Sequence, residues 1–259
     1  MVFAALVTPD LVAAERFYTD LFGWQFQNAY VRRHLFGEAS INGRVVAAIV
    51  QKPIRHGERP AWRSFLSTED VEKSAQVAVQ HGASMLLGPH EIANLGRDAL
   101  LTDPQGAVFG MLTSSSGDPA DTLAAPGAWI WSSLITHDPE TDAAFYKAVF
   151  GYDVFDLPDP QEAKHVILAS QTYARASVNP IPTKHPALHP RWISYVRVLD
   201  IAAMVGHATT LGAHVVVPPH QDRNGGTIAL VADPAGAIFG LLALPDDAGP
   251  GDTAAGDAK

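Results

Sequence analysis

The chain repeats itself. Residues 6–24 (LVTPDLVAAERFYTDLFGW) and 134–152 (LITHDPETDAAFYKAVFGY) align at an offset of 128, so that Asp10 matches Asp138, Phe17-Tyr18 matches Phe145-Tyr146 and Phe22-Gly23 matches Phe150-Gly151. Further on, LLTDPQGAVFGML at 100–112 aligns with LVADPAGAIFGLL at 230–242 at an offset of 130, and Trp62/Trp192, Gly82/Gly212 and Pro89-His90/Pro219-His220 keep that offset. A drift of two residues is one small indel between two homologous copies. The 259 residues therefore read as two domains, 1–113 and 128–245. A Ser, Gly, Pro and Asp-rich linker at 114–127 joins them, and a tail at 246–259 has nothing to pack and is expected to be disordered.

Each copy is written in the same local code. Asp10 is a good N-cap, and Ala14, Phe17, Tyr18, Leu21 and Phe22 after it share one helical face, with Gly23 as the stop. In the second copy Asp138 caps, Pro139 takes the first helical position and Gly151 closes. Strands are expected before these helices at 2–8 and 130–136, and short strand-like runs after them, up to 45–50, 166–169 and 173–178. The pattern then restarts: a strand at 62–67, a helix opened by Asp70, and strands at 84–87, 99–102 and 107–112. Asp103-Pro104-Gln105-Gly106 joins the last two as a type I turn, as Asp233-Pro234-Ala235-Gly236 does later. The second copy restarts in the same way, with a strand at 192–198, a helix from Asp200 to Leu211 and three further strands, so strand–helix–strand–strand–strand occurs four times. Two such modules sharing a cupped sheet present a concave apolar surface suited to a small molecule.

Composition narrows the chemistry. There is no cysteine, which excludes disulfides, thiolate metal sites and cysteine nucleophiles. A formal net charge of −9 without a basic stripe, Arg32-Arg33 beside His34 being the densest cluster, argues against nucleic acid. No segment approaches the ~20 apolar residues of a membrane helix. The N-terminal MVFAALV lacks a positive region and reads as a strand, so a cytoplasmic location is expected. HExxH, GxSxG, Walker and GxGxxG motifs are all missing.

The Asp-capped helix with Phe-Tyr and Phe-Gly, the preceding strand and the closing DPxGAxFG strand, in order and twice, resemble the vicinal oxygen chelate superfamily: glyoxalase I, fosfomycin and bleomycin resistance proteins and extradiol dioxygenases. The resemblance spans about 2–245 and is greatest to tandem, two-domain glyoxalase-like proteins. It implies an α+β fold of four βαβββ modules in two tandem domains. Family members often pair modules across chains. With four modules in one chain, that pairing can form internally, giving a monomer, or between chains, giving a homodimer.

In the family's enzymes each domain holds a divalent metal through His, Gln or Glu on two equivalent strands and a Glu on the last strand. Carried onto this chain, those positions are Phe3, Arg63 and Gly110 in the first copy and Trp131, Ile193 and Gly240 in the second. None offers an imidazole or carboxylate, so no metal and no cofactor is expected. The positions facing the cavities are aromatic instead: Phe3, Trp62, Phe65 and Phe109 in one copy, and Trp131, Trp192, Tyr195 and Phe239 in the other. They either stack on a planar ligand or fill the space as core, and the sequence supports both readings for the strand tryptophans. Arg63 and Arg97 are candidate anion contacts or plain surface arginines. His34 and His165 lie on strands that could face the cavities and are the most plausible acid–base groups. His185 and His189 fall in a proline-rich loop, and His81, His90, His207, His214 and His220 read as loop or element-end residues.

Three functions fit. The first is binding of a small aromatic or amphipathic molecule without metal. The second is an enzyme of lyase, isomerase or hydroxylase type, metal-independent or with atypical ligands. The third is an interaction module whose cavities are filled core.

Overall fold

The structure is a computed structural model that describes residues 3–31, 34–54, 58–92, 95–157, 164–184, 187–223 and 225–245. Arg32, Arg33, His185 and the expected tail at 246–259 lie outside the described residues. Four βαβββ modules follow one another. The first repeat holds β1 (Phe3–Thr8), α1 (Leu11–Phe22), β2 (Gln25–Val31), β3 (His34–Ile41) and β4 (Arg44–Gln51), then β5 (Ala61–Ser67), α2 (Val71–Gln80), β6 (Ser84–Ile92), β7 (Gly96–Thr102) and β8 (Val108–Ser114). The second holds β9 (Trp129–Thr136), α3 (Pro139–Phe150), β10 (Asp153–Leu157), β11 (His165–Ser170) and β12 (Tyr173–Pro180), then β13 (Arg191–Arg197), α4 (Ile201–Thr210), β14 (His214–Gln221), β15 (Thr227–Ala232) and β16 (Ile238–Ala243).

The expected start and stop signals work as the local chemistry requires. Asp10, Asp70, Asp138 and Asp200 each accept the backbone N–H three residues on, at 3.0, 2.9, 3.1 and 2.9 Å. Gly23 and Gly151 close α1 and α3 in the left-handed region, at φ 72° and 71°. In each DPxG turn the first Asp folds back onto the backbone. Asp103 Oδ1 accepts from Gln105 and Ala107, and Asp233 Oδ1 accepts from Ala235 and Ala237. That clamp fixes the hairpins β7–β8 and β15–β16.

The strands form two eight-stranded sheets, in the orders β2-β3-β4-β1-β5-β8-β7-β6 and β10-β11-β12-β9-β13-β16-β15-β14. The pairing is antiparallel within each hairpin and parallel where β5 meets β8 and β13 meets β16. The compact units of the chain do not coincide with the repeats. One unit gathers Arg63–Thr122, Trp131–Ser194 and the start of β1; the other gathers Leu6–Trp62, Leu123–Ile130 and the chain from Tyr195 onward. Each unit thus takes the second module of one repeat and the first of the other. The reason lies in the core: α2 and α3 share one, with Leu66, Ala78 and Phe109 from the first repeat against Leu134, Phe145, Tyr146 and Trp192 from the second. Segment 114–127 has no helix or strand beyond Ser114, and polar ties hold it. Ser67 donates to Asp118, Arg175 pairs with Asp121, and Arg197 donates to the carbonyl of Ala124.

Candidate functional site

Strand alternation decides which expected site residues face a helix and which face the open side of a sheet. On β5 the order is Trp62, Arg63, Ser64, Phe65, Leu66. Leu66 belongs to the α2 core, so Trp62 and Ser64 share its side, and Arg63 and Phe65 take the other. Trp62 Nε1 donates to the Tyr18 hydroxyl of α1 at 2.8 Å, and that hydroxyl donates to Asp233 Oδ2 at 3.0 Å. The other unit repeats the chain: Trp192 Nε1 to Tyr146 at 2.8 Å, and Tyr146 to Asp103 Oδ2 at 3.0 Å. Burial raises the carboxyls of Asp103 and Asp233 above the ordinary range. Burial, then the neighbouring carboxylate, lifts both tyrosine hydroxyls well above theirs.

These contacts favour the core reading of Trp62 and Trp192, and they turn Phe109 and Phe239, expected to face the cavities, to the helix side. Phe109 and Phe239 are fully buried, edge-on to Tyr146 and Tyr18 respectively. All four are helix-side core. For the tryptophans the sequence could not separate the readings, because both faces of β5 and β13 carry aromatic residues.

The open side is filled where the family's glutamate would stand. Phe65 pairs with Gly110 across the parallel ladder, and a Cβ placed on Gly110 would lie 2.3 Å from its ring. Tyr195 covers Gly240 in the same way, at 2.1 Å. The two glycines are therefore covered by these two buried rings, and Phe3 packs edge-on to Phe65 at 6.0 Å. With phenyl, guanidinium and no side chain at Phe3, Arg63 and Gly110, and indole, alkyl and none at Trp131, Ile193 and Gly240, these positions do not fit a divalent metal. Among the described residues no three His, Asp or Glu converge. Arg97, a candidate anion contact, instead pairs with Glu72 and, at 3.9 Å, with Glu91 on the surface. His34 is exposed at the start of β3.

Trp131 and His165 are brought together, through residues the sequence reading missed. On β9, β11 and β12, Leu134, Val166, Leu168, Ala176 and Val178 face the helix core. Alternation therefore turns Trp131, Ser133, His165, Ser177 and Asn179 to the open side. Trp131 Nε1 donates to Ser177 Oγ at 3.2 Å, and Asn179 Nδ2 donates to the same oxygen at 3.0 Å. Both lone pairs of that hydroxyl are then used, so its proton goes to Ser133 Oγ, 2.7 Å away. With its amide nitrogen toward Ser177, Asn179 turns Oδ1 to His165 Nδ1 at 2.9 Å. That nitrogen donates, so the neutral imidazole holds its proton there. The network fixes the tautomer, and every donor points the same way along the chain. Ser133, His165 and Ser177 are buried, while Trp131 and Asn179 keep partial exposure.

The first repeat has none of this. Its ladder registers place Phe36, Ala48 and Val50 where the second has His165, Ser177 and Asn179, and Phe3 and Ala5 match Trp131 and Ser133. Separately, an open pocket of about 380 Å³ lies among Leu21 and Phe22 of α1, Pro126-Gly127, and Met204 and His207 of α4; no expected site residue lines it.

Comparison with known proteins agrees with the architecture. Residues 132–242 match the glyoxalase-like domain family, and residues 1–111 match the Glyoxalase/Bleomycin resistance protein/Dioxygenase superfamily. The chain belongs to that superfamily, the vicinal oxygen chelate proteins. It is 30% identical over 243 residues, 92% of each chain, to “Putative glyoxylase CFP32” of Mycobacterium tuberculosis (strain CDC 1551 / Oshkosh). It is 28% identical over 261 residues, 92% of this chain and 91% of the other, to “Anthracycline biosynthesis protein DauV” of Streptomyces sp. (strain C5). The Mn(II)-bound glyoxalase from Novosphingobium aromaticivorans shares the fold, with a TM-score of 0.62 at 15% identity over 93% of this chain and 80% of that one. Among the described residues no helix is long and apolar enough to cross a membrane.

Proposed function

We propose that the second repeat binds a small aromatic or amphipathic molecule bearing polar substituents, on the open face of β9, β11 and β12, without a divalent metal. The observation that carries this reading is the directed chain His165–Asn179–Ser177–Ser133 under Trp131. Ser133 keeps a proton to donate, His165 is fixed in one tautomer, and a half-exposed indole lies beside them for stacking. A relative named for anthracycline biosynthesis supports an aromatic ligand class, since anthracyclines are hydroxylated polycyclic aromatics. Metal independence rests on the six family positions, which offer no donor.

The test is a titration of the full chain with a hydroxyanthraquinone, read by tryptophan fluorescence and calorimetry, with and without chelator. Saturable binding near one per chain, indifferent to chelator and weakened about tenfold by Ser177→Ala or Asn179→Ala, is the expected result. Binding that needs added metal, or that ignores both substitutions, would sink the reading.

A second reading is an enzyme of lyase or isomerase type in which His165 moves the proton. The fixed tautomer favours it, and so does the relative named as a glyoxylase. Turnover of a hemithioacetal, lost in His165→Gln, would select it over simple binding.

A further inference from the structure

Inside the helix-side core the second repeat carries an acid where the first carries a methyl group. Asp142 follows the cap Asp138 by four residues, and Ala14 stands at the same distance from Asp10. The Asp142 side chain is fully buried. Neither of its oxygens makes a well-formed hydrogen bond, and neither does the buried Thr136 hydroxyl of β9. Nearby Asp103 is already satisfied: its Oδ1 takes the N–H groups of Gln105 and Ala107, and its Oδ2 takes the Tyr146 hydroxyl. A second carboxylate here would be a buried charge with only the weak support of Thr136 and Gln105 and close to another carboxylate, an arrangement that proteins avoid by keeping the proton.

We propose that Asp142 stays a neutral carboxylic acid in the folded protein well above the pH at which an exposed aspartate ionises, and that its ionisation loosens the first turn of α3. The unit containing α3 would then respond to pH, through a group that the matching Ala14 cannot supply to the other.

The surroundings are consistent. The charged groups whose field reaches Asp142 are themselves acids, Asp103 from the β7–β8 turn and the Asp138 cap. Glu140 and Lys147 on its own helix are exposed, as are Lys73 and His81 at the two ends of α2. The elements packed on α3 face the shared core with apolar side chains: Val71, Ala75 and Ala78 from α2, Val166 and Leu168 from β11, Ala176 and Val178 from β12, and Val154 from β10, whose Asp153 and Asp156 are exposed. Burial first, and the Asp103 carboxylate second, push the Asp142 carboxyl up to about 7, against weaker opposing interactions with Thr136 and Gln105.

The sign follows from linkage. An unfolded Asp titrates near ~3.9. Between that value and about 7 the folded chain keeps a proton that the unfolded chain has released. Stability therefore falls as pH rises through this window and levels off above it. Below the unfolded value the contribution is fully retained. Asp103, raised by the same burial, adds a slope of the same sign in the wild type and in Asp142 variants alike.

The experiment is unfolding of the full chain by heat between about pH 5 and about pH 8.5, with Asp142→Asn and Asp142→Ala alongside, and carboxyl-carbon NMR of aspartate-labelled wild type. The wild-type midpoint is expected to fall roughly 5 °C further than that of either variant across the range. The wild-type Asp142 carbon is expected to keep its protonated shift to near neutrality. Parallel slopes in all three chains would overturn the proposal, and so would a carboxyl already ionised at the acid end. An ionised carboxyl whose stability contribution appears only with added salt would do the same, by showing a bound cation in place of the proton. Where a variant fails to fold, the NMR titration of the wild type decides alone.

Discussion

Trp62, Tyr18 and Asp233 repeat, residue for residue, the chain of Trp192, Tyr146 and Asp103, with the same 2.8 and 3.0 Å spacings. On the open side the repeats part company. β9, β11 and β12 carry a hydrogen-bonded ladder of Trp131, Ser133, His165, Ser177 and Asn179, where β1, β3 and β4 carry Phe3, Ala5, Phe36, Ala48 and Val50. The difference teaches where each kind of constraint acts. Helix-side residues must close a core in both halves, and leaving a buried indole N–H or carboxylate without its partner is costly, so both chains keep all three members. The open face carries no such requirement. One copy can fill it with apolar side chains while the other builds a polar surface on it.

Several substitutions would break or sharpen this comparison. The largest effect is expected from Trp62→Ala and Trp192→Ala, each removing a buried aromatic and leaving a tyrosine hydroxyl without its donor. Each should cost about 3–5 kcal/mol in chemical unfolding, and a cheap loss at either site would show that the two cores are not equivalent. Tyr18→Phe and Tyr146→Phe come next. Each strips a hydrogen bond from a buried carboxylate, at about 1–3 kcal/mol. The Tyr146→Phe cost should vary more with pH over the range where Asp142 titrates, because Asp142 adds a second acid beside Asp103. Gly110→Ala and Gly240→Ala should cost about 1–3 kcal/mol, since each new methyl meets a ring. Pairing Gly110→Ala with Phe65→Leu should recover part of the loss, and no recovery would mean that the ring is not what fills the site. The smallest effect is expected from Ser177→Ala, about 1 kcal/mol in stability. The reciprocal Ala48→Ser in the first repeat should add nothing, because no partners await the new hydroxyl there.

Much of the fold was legible in the sequence. Four Asp caps, the Gly stops and two DPxG turns are local signals, and each forms the contact its chemistry predicts. The repeat gave the module count. What was hidden is non-local. Tyr18 meets Asp233 across 215 residues, and nothing near either one announces it. Ser177 and Asn179 read as ordinary strand residues until the pairing of β11 with β12 puts them beside His165. For Trp62 and Trp192 the cavity and core readings stay open in the sequence, because a strand with aromatics on both sides gives alternation but no direction. β2 and β10, short and polar, were swallowed into unspecified strand-like runs.

The crossing of modules between repeats has a consequence for how the chain is made. When the first repeat leaves the ribosome, Tyr18 and Trp62 are already present, but the carboxylate that completes their chain lies on the last hairpin and has yet to be translated. Asp103 likewise waits for Tyr146. Neither unit can close its core from one repeat's worth of sequence: the unit holding α2 and α3 needs the chain as far as Ser194, and the unit holding α1 needs the β15–β16 hairpin.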